Sequence, residues 1–182
     1  APEFFPLGET IVTWTVTDTS GNSASDVQKI IIEDTLKPKI TGPENIILEI
    51  TDVTGIVVDI GQASALDEID ENPEISNDAP ELFQLGNTIV TWTVTDSSDN
   101  TALYFQTIAV IDTTSPEVIS SSDITQEAEN SLSNYVILET PQTSDIIGIS
   151  SVENDAPEFF PLGDTIVTWT ATDSSGNSAS DT

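Results

Sequence analysis

Thr10-Ile11-Val12-Thr13-Trp14-Thr15-Val16-Thr17-Asp18-Thr19-Ser20-Gly21-Asn22 decides the reading, because it occurs three times. It returns as Thr88-Ile89-Val90-Thr91-Trp92-Thr93-Val94-Thr95-Asp96-Ser97-Ser98-Asp99-Asn100 and as Thr165-Ile166-Val167-Thr168-Trp169-Thr170-Ala171-Thr172-Asp173-Ser174-Ser175-Gly176-Asn177, at offsets of 78 and 77 residues. A fixed period of that size marks an array of like modules. Val12, Trp14 and Val16 alternate with Thr13, Thr15 and Thr17, the two-residue period of a strand with one buried and one wet face. The three Trp are therefore expected in cores rather than on a sugar-stacking platform. The Asp-x-x-Gly-Asn that follows has turn chemistry, since Asp and Asn bond their own backbone and Gly accepts positive φ. Val27 to Ile32 is again β-branched, so the unit is a β-hairpin.

Outward from the hairpin, residues 1–33 read as the C-terminal part of a module. Two or three strands cannot bury a two-faced core, so this piece needs strands from elsewhere. Asp34-Thr35-Leu36-Lys37-Pro38 opens a complete module over residues 34–111, and Asp112-Thr113-Thr114-Ser115-Pro116 opens a third over 112–182 that lacks its last strand. Pro fixes φ and restricts its predecessor, which makes each Asp-Thr-x-x-Pro a short, stiff junction. Strands are expected at Ile46 to Glu49, Gly55 to Ile60 and Phe105 to Ile111, and in the third module at Ile124 to Ala128, Tyr135 to Glu139 and Thr143 to Gly148. About seven short strands per module, frequent turn signals and no helical period describe a β-sandwich.

Composition narrows the function. The chain has 182 residues, 32 of them acidic and 3 basic, a net charge of -29, and no His, Cys or Met. Such a surface excludes nucleic acid and anionic membrane as partners, which require basic patches. Acidity of this degree fits divalent-cation binding or life in high salt. Without His or Cys there is no usual catalytic triad, thiol nucleophile or transition-metal site, and no enzyme is expected. No apolar run is long enough to span a bilayer, so no membrane insertion is expected in this segment.

These features together resemble the hyalin repeat (HYR) family of immunoglobulin-like modules. The resemblance rests on Asp34-Thr35-x-x-Pro38, Ala65-x-Asp67, Phe5-Pro6-Leu7-Gly8-x-Thr10-x-Val12-x-Trp14 and Thr17-Asp18-x-x-Gly21-Asn22-x-Ala24. It implies tandem immunoglobulin-like β-sandwich modules of about 78 residues in an extended array, extracellular or at the cell surface, with an adhesive or structural role. Family members often carry a cysteine pair, and here Asp26, Tyr104 and Asp181 stand at the hairpin position.

In an immunoglobulin-like array the chemistry belongs at the junctions, where the end of one module meets the loops of the next. Asp34 is expected to meet Asp67, Asp70, Asp96 and Asn100. Asp112 is expected to meet Asp145, Asp173 and Asn177. So many carboxylates repel one another, whereas Ca²⁺ takes six to eight oxygens from flexible carboxylates, amides and carbonyls. The alternative is that these Asp are turn and junction residues only. The expected function is a stalk, filament or matrix fibre with Ca²⁺-stiffened junctions, its partners other copies of itself; the surplus hairpin and the missing last strand fit either a piece cut from a longer tandem array or strand complementation between copies. The competing reading is an adhesin module that binds a glycan or a cell-surface protein.

Overall fold

A computed structural model describes residues 2–131 and 134–182. It is all-β: the described residues form thirteen strands and no helix. They gather in two compact units, one of Ala1–Glu44, Gly61–Ala79 and Val90–Gln106, the other of Asn45–Ile60, Pro80–Ile89 and Thr107–Thr182.

In the first unit β1 (Gly8–Thr17) and β2 (Ser23–Ile32) form an antiparallel hairpin running in register from Gly8↔Ile32 to Thr17↔Ser23. Gly21 closes its turn at φ +88, with its N–H on the Asp18 carbonyl. β3 (Lys39–Thr41) pairs with β5 (Ser64–Leu66). β6 (Glu74–Asn77) runs antiparallel to Trp92–Thr95 of β7 (Gly86–Thr95). The alternation read from the sequence appears as burial on β7, where Val90, Trp92 and Val94 face inward. Each such side chain contributes about 1.5–3 kcal/mol by leaving water. Gln106 on β8 (Thr101–Ile111) is fully buried among them. Its amide oxygen accepts the Trp92 indole N–H at 3.1 Å and its Nε2 donates to the Glu44 carbonyl at 2.7 Å.

In the second unit β4 (Ile46–Glu49) lies parallel to Ile108–Ile111 of β8, and Ile108 and Val110 are buried. The strand order of the four-stranded sheet is β4-β8-β7-β6. β9 (Glu117–Ile119) pairs with β10 (Gln142–Ser144). β11 (Ile149–Asn154), β12 (Trp169–Asp173) and β13 (Ser178–Asp181) form a second antiparallel sheet, against which β9 packs.

Three expected strands are absent. Residues 55–60 make only the single bridge Ile56↔Phe83, although Ile56, Val57, Val58 and Ile60 are strong β-formers. Propensity does not supply a neighbouring ladder, and Gly55 and Gly61 bracket the segment at positive φ. Residues 124–128 and 135–139 likewise carry no ladder, and the bridge Asn134↔Phe160 repeats that of Ile56↔Phe83. Residues 34–111 thus hold six strands, β3 to β8, rather than about seven. The Trp expectation also needs correction. Trp92 and Trp169 are buried, but Trp14 is 59 % exposed, because among the described residues β1 and β2 pair only with each other and leave the hairpin face open.

Candidate metal centre

Each cluster is built on the repeated hairpin turn. Asp96 follows β7, and its Oδ1 accepts the backbone N–H of Ser98 at 2.9 Å and of Asn100 at 2.8 Å. Its Oδ2 accepts the Asn100 amide at 2.8 Å. Burial raises the Asp96 pKa as the largest single influence, but the Asn100 and Ser98 hydrogen bonds together hold the carboxyl below its ordinary value. Asp99 takes the turn position held by Gly21 and Gly176 in the other copies and adopts φ 66 there. Asp173 repeats the arrangement, accepting from Ser175 and Asn177, with the same opposed influences and the same net lowering.

Two further carboxylates reach each turn. Carboxylate oxygens of Asp34, Asp67 and Asp96 lie within 4.8 Å of one another, as do those of Asp112, Asp145 and Asp173. Asp96, Asp112 and Asp173 are buried and the other three are half-buried. Asp67 Oδ1 accepts the N–H groups of Ile69 and Asp70, which leaves its second oxygen for the cluster. Asp145 does the same with Ile147, and Asp112 with Thr114. Asp34 Oδ1 accepts the Leu36 N–H at 3.1 Å, while its Oδ2 is buried without a hydrogen-bond partner. Among the described residues the one ion pair is Lys29–Glu9, so no lysine neutralises either cluster.

Asp70, Asn100 and Asn177 stand at the edge of these groups. Both Asp70 oxygens accept backbone N–H groups, Oδ1 from Asn72 and Oδ2 from Ser97, so that Asp70 ties its loop to the hairpin turn. In the other copy the Gly148 carbonyl makes that tie to Ser174. Asn100 turns its Nδ2 to Asp96 and to the Asp34 carbonyl, and Asn177 does so to Asp173 and Asp112. Both amides therefore donate to the cluster, and only their Oδ1 atoms are left to meet a cation. Asp18 makes the same turn in the first hairpin, held below the ordinary carboxylate range chiefly by the Asn22 side chain. Among the described residues no second or third Asp joins it.

The donor set is all oxygen and anionic, which suits a hard cation such as Ca²⁺, Mg²⁺ or Mn²⁺ rather than Zn²⁺ or Cu²⁺. An orphaned buried oxygen beside two other carboxylates, with no counter-charge, is the arrangement a divalent ion relieves.

Sequence reading missed several anchoring acids. Asp78 accepts the Thr91 N–H at 2.6 Å and Asp155 the Thr168 N–H at 2.7 Å. Their signal was the repeated Asn-Asp-Ala-Pro at 77–80 and 154–157. Glu49 takes the Thr113 N–H at 2.7 Å and the hydroxyls of Thr113 and Thr114. It thereby straps the segment that follows Asp112.

The fold and these clusters define an all-β, immunoglobulin-like repeat with a three-carboxylate centre on its hairpin turn. Residues 111–182 match the HYR domain. It is similar to "Hyalin" of Strongylocentrotus purpuratus, 34% identical over 99% of this chain and 16% of the relative. It is similar also to "Hyalin" of Lytechinus variegatus, 36% identical over 99% of this chain and 37% of that protein. A third relative is the "Sushi, von Willebrand factor type A, EGF and pentraxin domain-containing protein 1" of Mus musculus, at 30% identity over 87% of this chain and 5% of the relative. The chain thus spans a minor part of each of these relatives.

Proposed function

We propose that this chain is a non-enzymatic extracellular repeat segment of adhesive or matrix type. In this reading the repeats run 34–111 and 112–182, with 1–33 the C-terminal part of another. Each repeat binds one Ca²⁺, at Asp34, Asp67 and Asp96 and at Asp112, Asp145 and Asp173. The ion fixes the Asp-Thr-x-x-Pro segment that leads into the repeat against the repeat's own loops. A series of such fixed segments makes a stalk or filament stiff. The observation that carries the reading is the Asp34 cluster: three carboxylates within 4.8 Å and a buried, unpartnered Oδ2. The HYR match over residues 111–182 and the similarity to hyalin support the repeat-module role and the extracellular setting.

Ca²⁺ fits better than Mg²⁺ because Mg²⁺ demands a tight octahedron and keeps its waters. Equilibrium binding of Ca²⁺ at constant ionic strength tests the reading. The wild-type chain is expected to take up two ions, Asp96→Asn and Asp173→Asn one each, and Asp18→Asn two. A chain that binds no Ca²⁺ in preference to monovalent salt contradicts it and makes the acidity a property of the surface alone.

A further inference from the structure

The Asp112 centre draws its three carboxylates from segments that fix them unequally. Asp173 sits in a hairpin turn and accepts the Ser175 and Asn177 N–H groups at 2.8 and 2.9 Å, and Asp145 accepts the Ile147 N–H at 2.8 Å. Asp112 lies just past β8, and the bond its own turn offers, from the Thr114 N–H, is long at 3.2 Å. A bond at the far end of the N–H···O range fixes a carboxylate weakly. The place of Asp112 therefore depends on what holds its backbone.

β4 holds that backbone from both sides. The parallel ladder of β4 on β8 reaches Glu49↔Ile111, and the N–H of buried Ile50 then donates to the Ile111 carbonyl at 2.7 Å. Beyond Asp112, Glu49 Oε1 accepts the Thr113 N–H at 2.7 Å and the Thr114 hydroxyl at 3.0 Å, and its Oε2 accepts the Thr113 hydroxyl at 2.9 Å. The Asp112 carbonyl accepts the Asn177 amide at 3.2 Å. Both peptide planes that carry Asp112 are thus tied down, which sets its φ and ψ. All of these residues belong to the second unit. Glu49 is not one of the three carboxylates of the cluster, and three donors already occupy its oxygens, so it acts on the centre through Asp112 rather than as a ligand.

We propose that Glu49 is a positioning residue of the Asp112 centre: by holding Thr113 and Thr114 it sets the Asp112 carboxylate before an ion arrives, and it makes Ca²⁺ uptake by residues 112–182 depend on a strand of residues 34–111. The proposal rests on the reading of Asp112, Asp145 and Asp173 as a Ca²⁺ centre. The entropy lost in fixing Asp112 is then lost on folding and not on binding. Linkage makes the effect reciprocal, so that an ion at the centre tightens the hold of Glu49 on Thr113 by the same factor.

Ca²⁺ titration at constant ionic strength tests it in Asp96→Asn, where the Asp112 centre is the one left to fill. Adding Glu49→Ala is expected to weaken uptake roughly tenfold or more, as loss of a group that orients a metal ligand does. Glu49→Gln keeps an acceptor for the Thr113 N–H but loses the charge, and it is expected to recover most of that loss. In Asp173→Asn, where the Asp34 centre is left, Glu49→Ala is expected to leave the affinity unchanged. Hydrogen exchange gives a readout without metal. In EDTA the Thr113 amide is expected to be protected in the wild-type chain and in Glu49→Gln, and to exchange roughly tenfold or more faster in Glu49→Ala. Uptake of two ions by the wild-type chain, with the Asp112 centre unmoved by Glu49→Ala, overturns the proposal and leaves the calcium reading standing. So does a Glu49→Gln variant as weak as Glu49→Ala, which would make charge and not position the contribution of Glu49. A Thr113 amide that exchanges freely in EDTA overturns the proposal as well, and a wild-type chain that takes up no Ca²⁺ overturns both readings.

Discussion

At the scale of single residues, the chain is held by carboxylates that accept backbone N–H groups and by one tight backbone approach. Hydrogen bonding by the Thr91 N–H depresses the Asp78 pKa, and the Thr168 N–H does the same for Asp155. A depressed folded-state pKa gives stability that is fully present above the unfolded value, about pH 4, and is lost as pH falls through the folded value. Asp78→Asn is therefore expected to lower Tm at pH 6, and the gap to wild type should close on acidification from about pH 4 downward. A gap that persists unchanged to pH 2 would show that charge is not what Asp78 contributes. Gly42 poses the steric case: a Cβ there would stand 1.9 Å from the Tyr104 ring, whose hydroxyl donates to the Pro43 carbonyl. The corresponding pair in the last repeat is Ser120 and Asp181, with the Ser120 N–H on the Asp181 carboxylate. Gly42→Ser is expected to cost about 1–3 kcal/mol by overpacking, and adding Tyr104→Asp should recover part of it. Chemical denaturation of both variants measures the recovery. An unchanged midpoint for Gly42→Ser would contradict the packing.

At the scale of elements, the three hairpins share a sequence but not an environment. Gln106 is buried with its amide divided between Trp92 and Glu44, while Gln28 and Trp14 lie exposed. Gln106→Leu strands the indole N–H and the Glu44 carbonyl and is expected to cost about 1–3 kcal/mol. Gln28→Leu should shift stability by about 0.5 kcal/mol or less, as an exposed substitution does. Equal losses for the two would show that the hairpins are equivalent after all. Alternation around Trp92 was enough to place β7 and β8, because a two-residue period with aromatic and β-branched residues admits little else. Residues 55–60 read as a strand for the same reason and are not one, since a ladder requires a neighbour that local sequence does not specify. Asp34, Asp67 and Asp96 were legible as a group because each has an Asp counterpart at the repeat period, Asp112, Asp145 and Asp173. The direction of the Asn100 amide was not, for it depends on how the turn presents its Nδ2 to Asp96 and the Asp34 carbonyl. Nor was Glu49, whose hold on Thr113 and Thr114 joins residues more than sixty positions apart.

At the scale of the whole molecule, a net charge of -29 acts on every titration of salt or metal. General screening of so many carboxylates stabilises a compact acidic chain whatever ion supplies it, and falls within a Debye length of about 8 Å at physiological ionic strength. Site binding differs in being selective among ions of equal charge. Linkage converts it into stability that grows with the logarithm of free ion above the dissociation constant. The measurement that tests the calcium account most directly is therefore a thermal melt of the chain in EDTA, in millimolar Ca²⁺ and in millimolar Mg²⁺, all at matched high ionic strength. The account predicts a Tm increase specific to Ca²⁺, reduced by Asp96→Asn and by Asp173→Asn and abolished in the double variant. Coincident melts in the three conditions would contradict it.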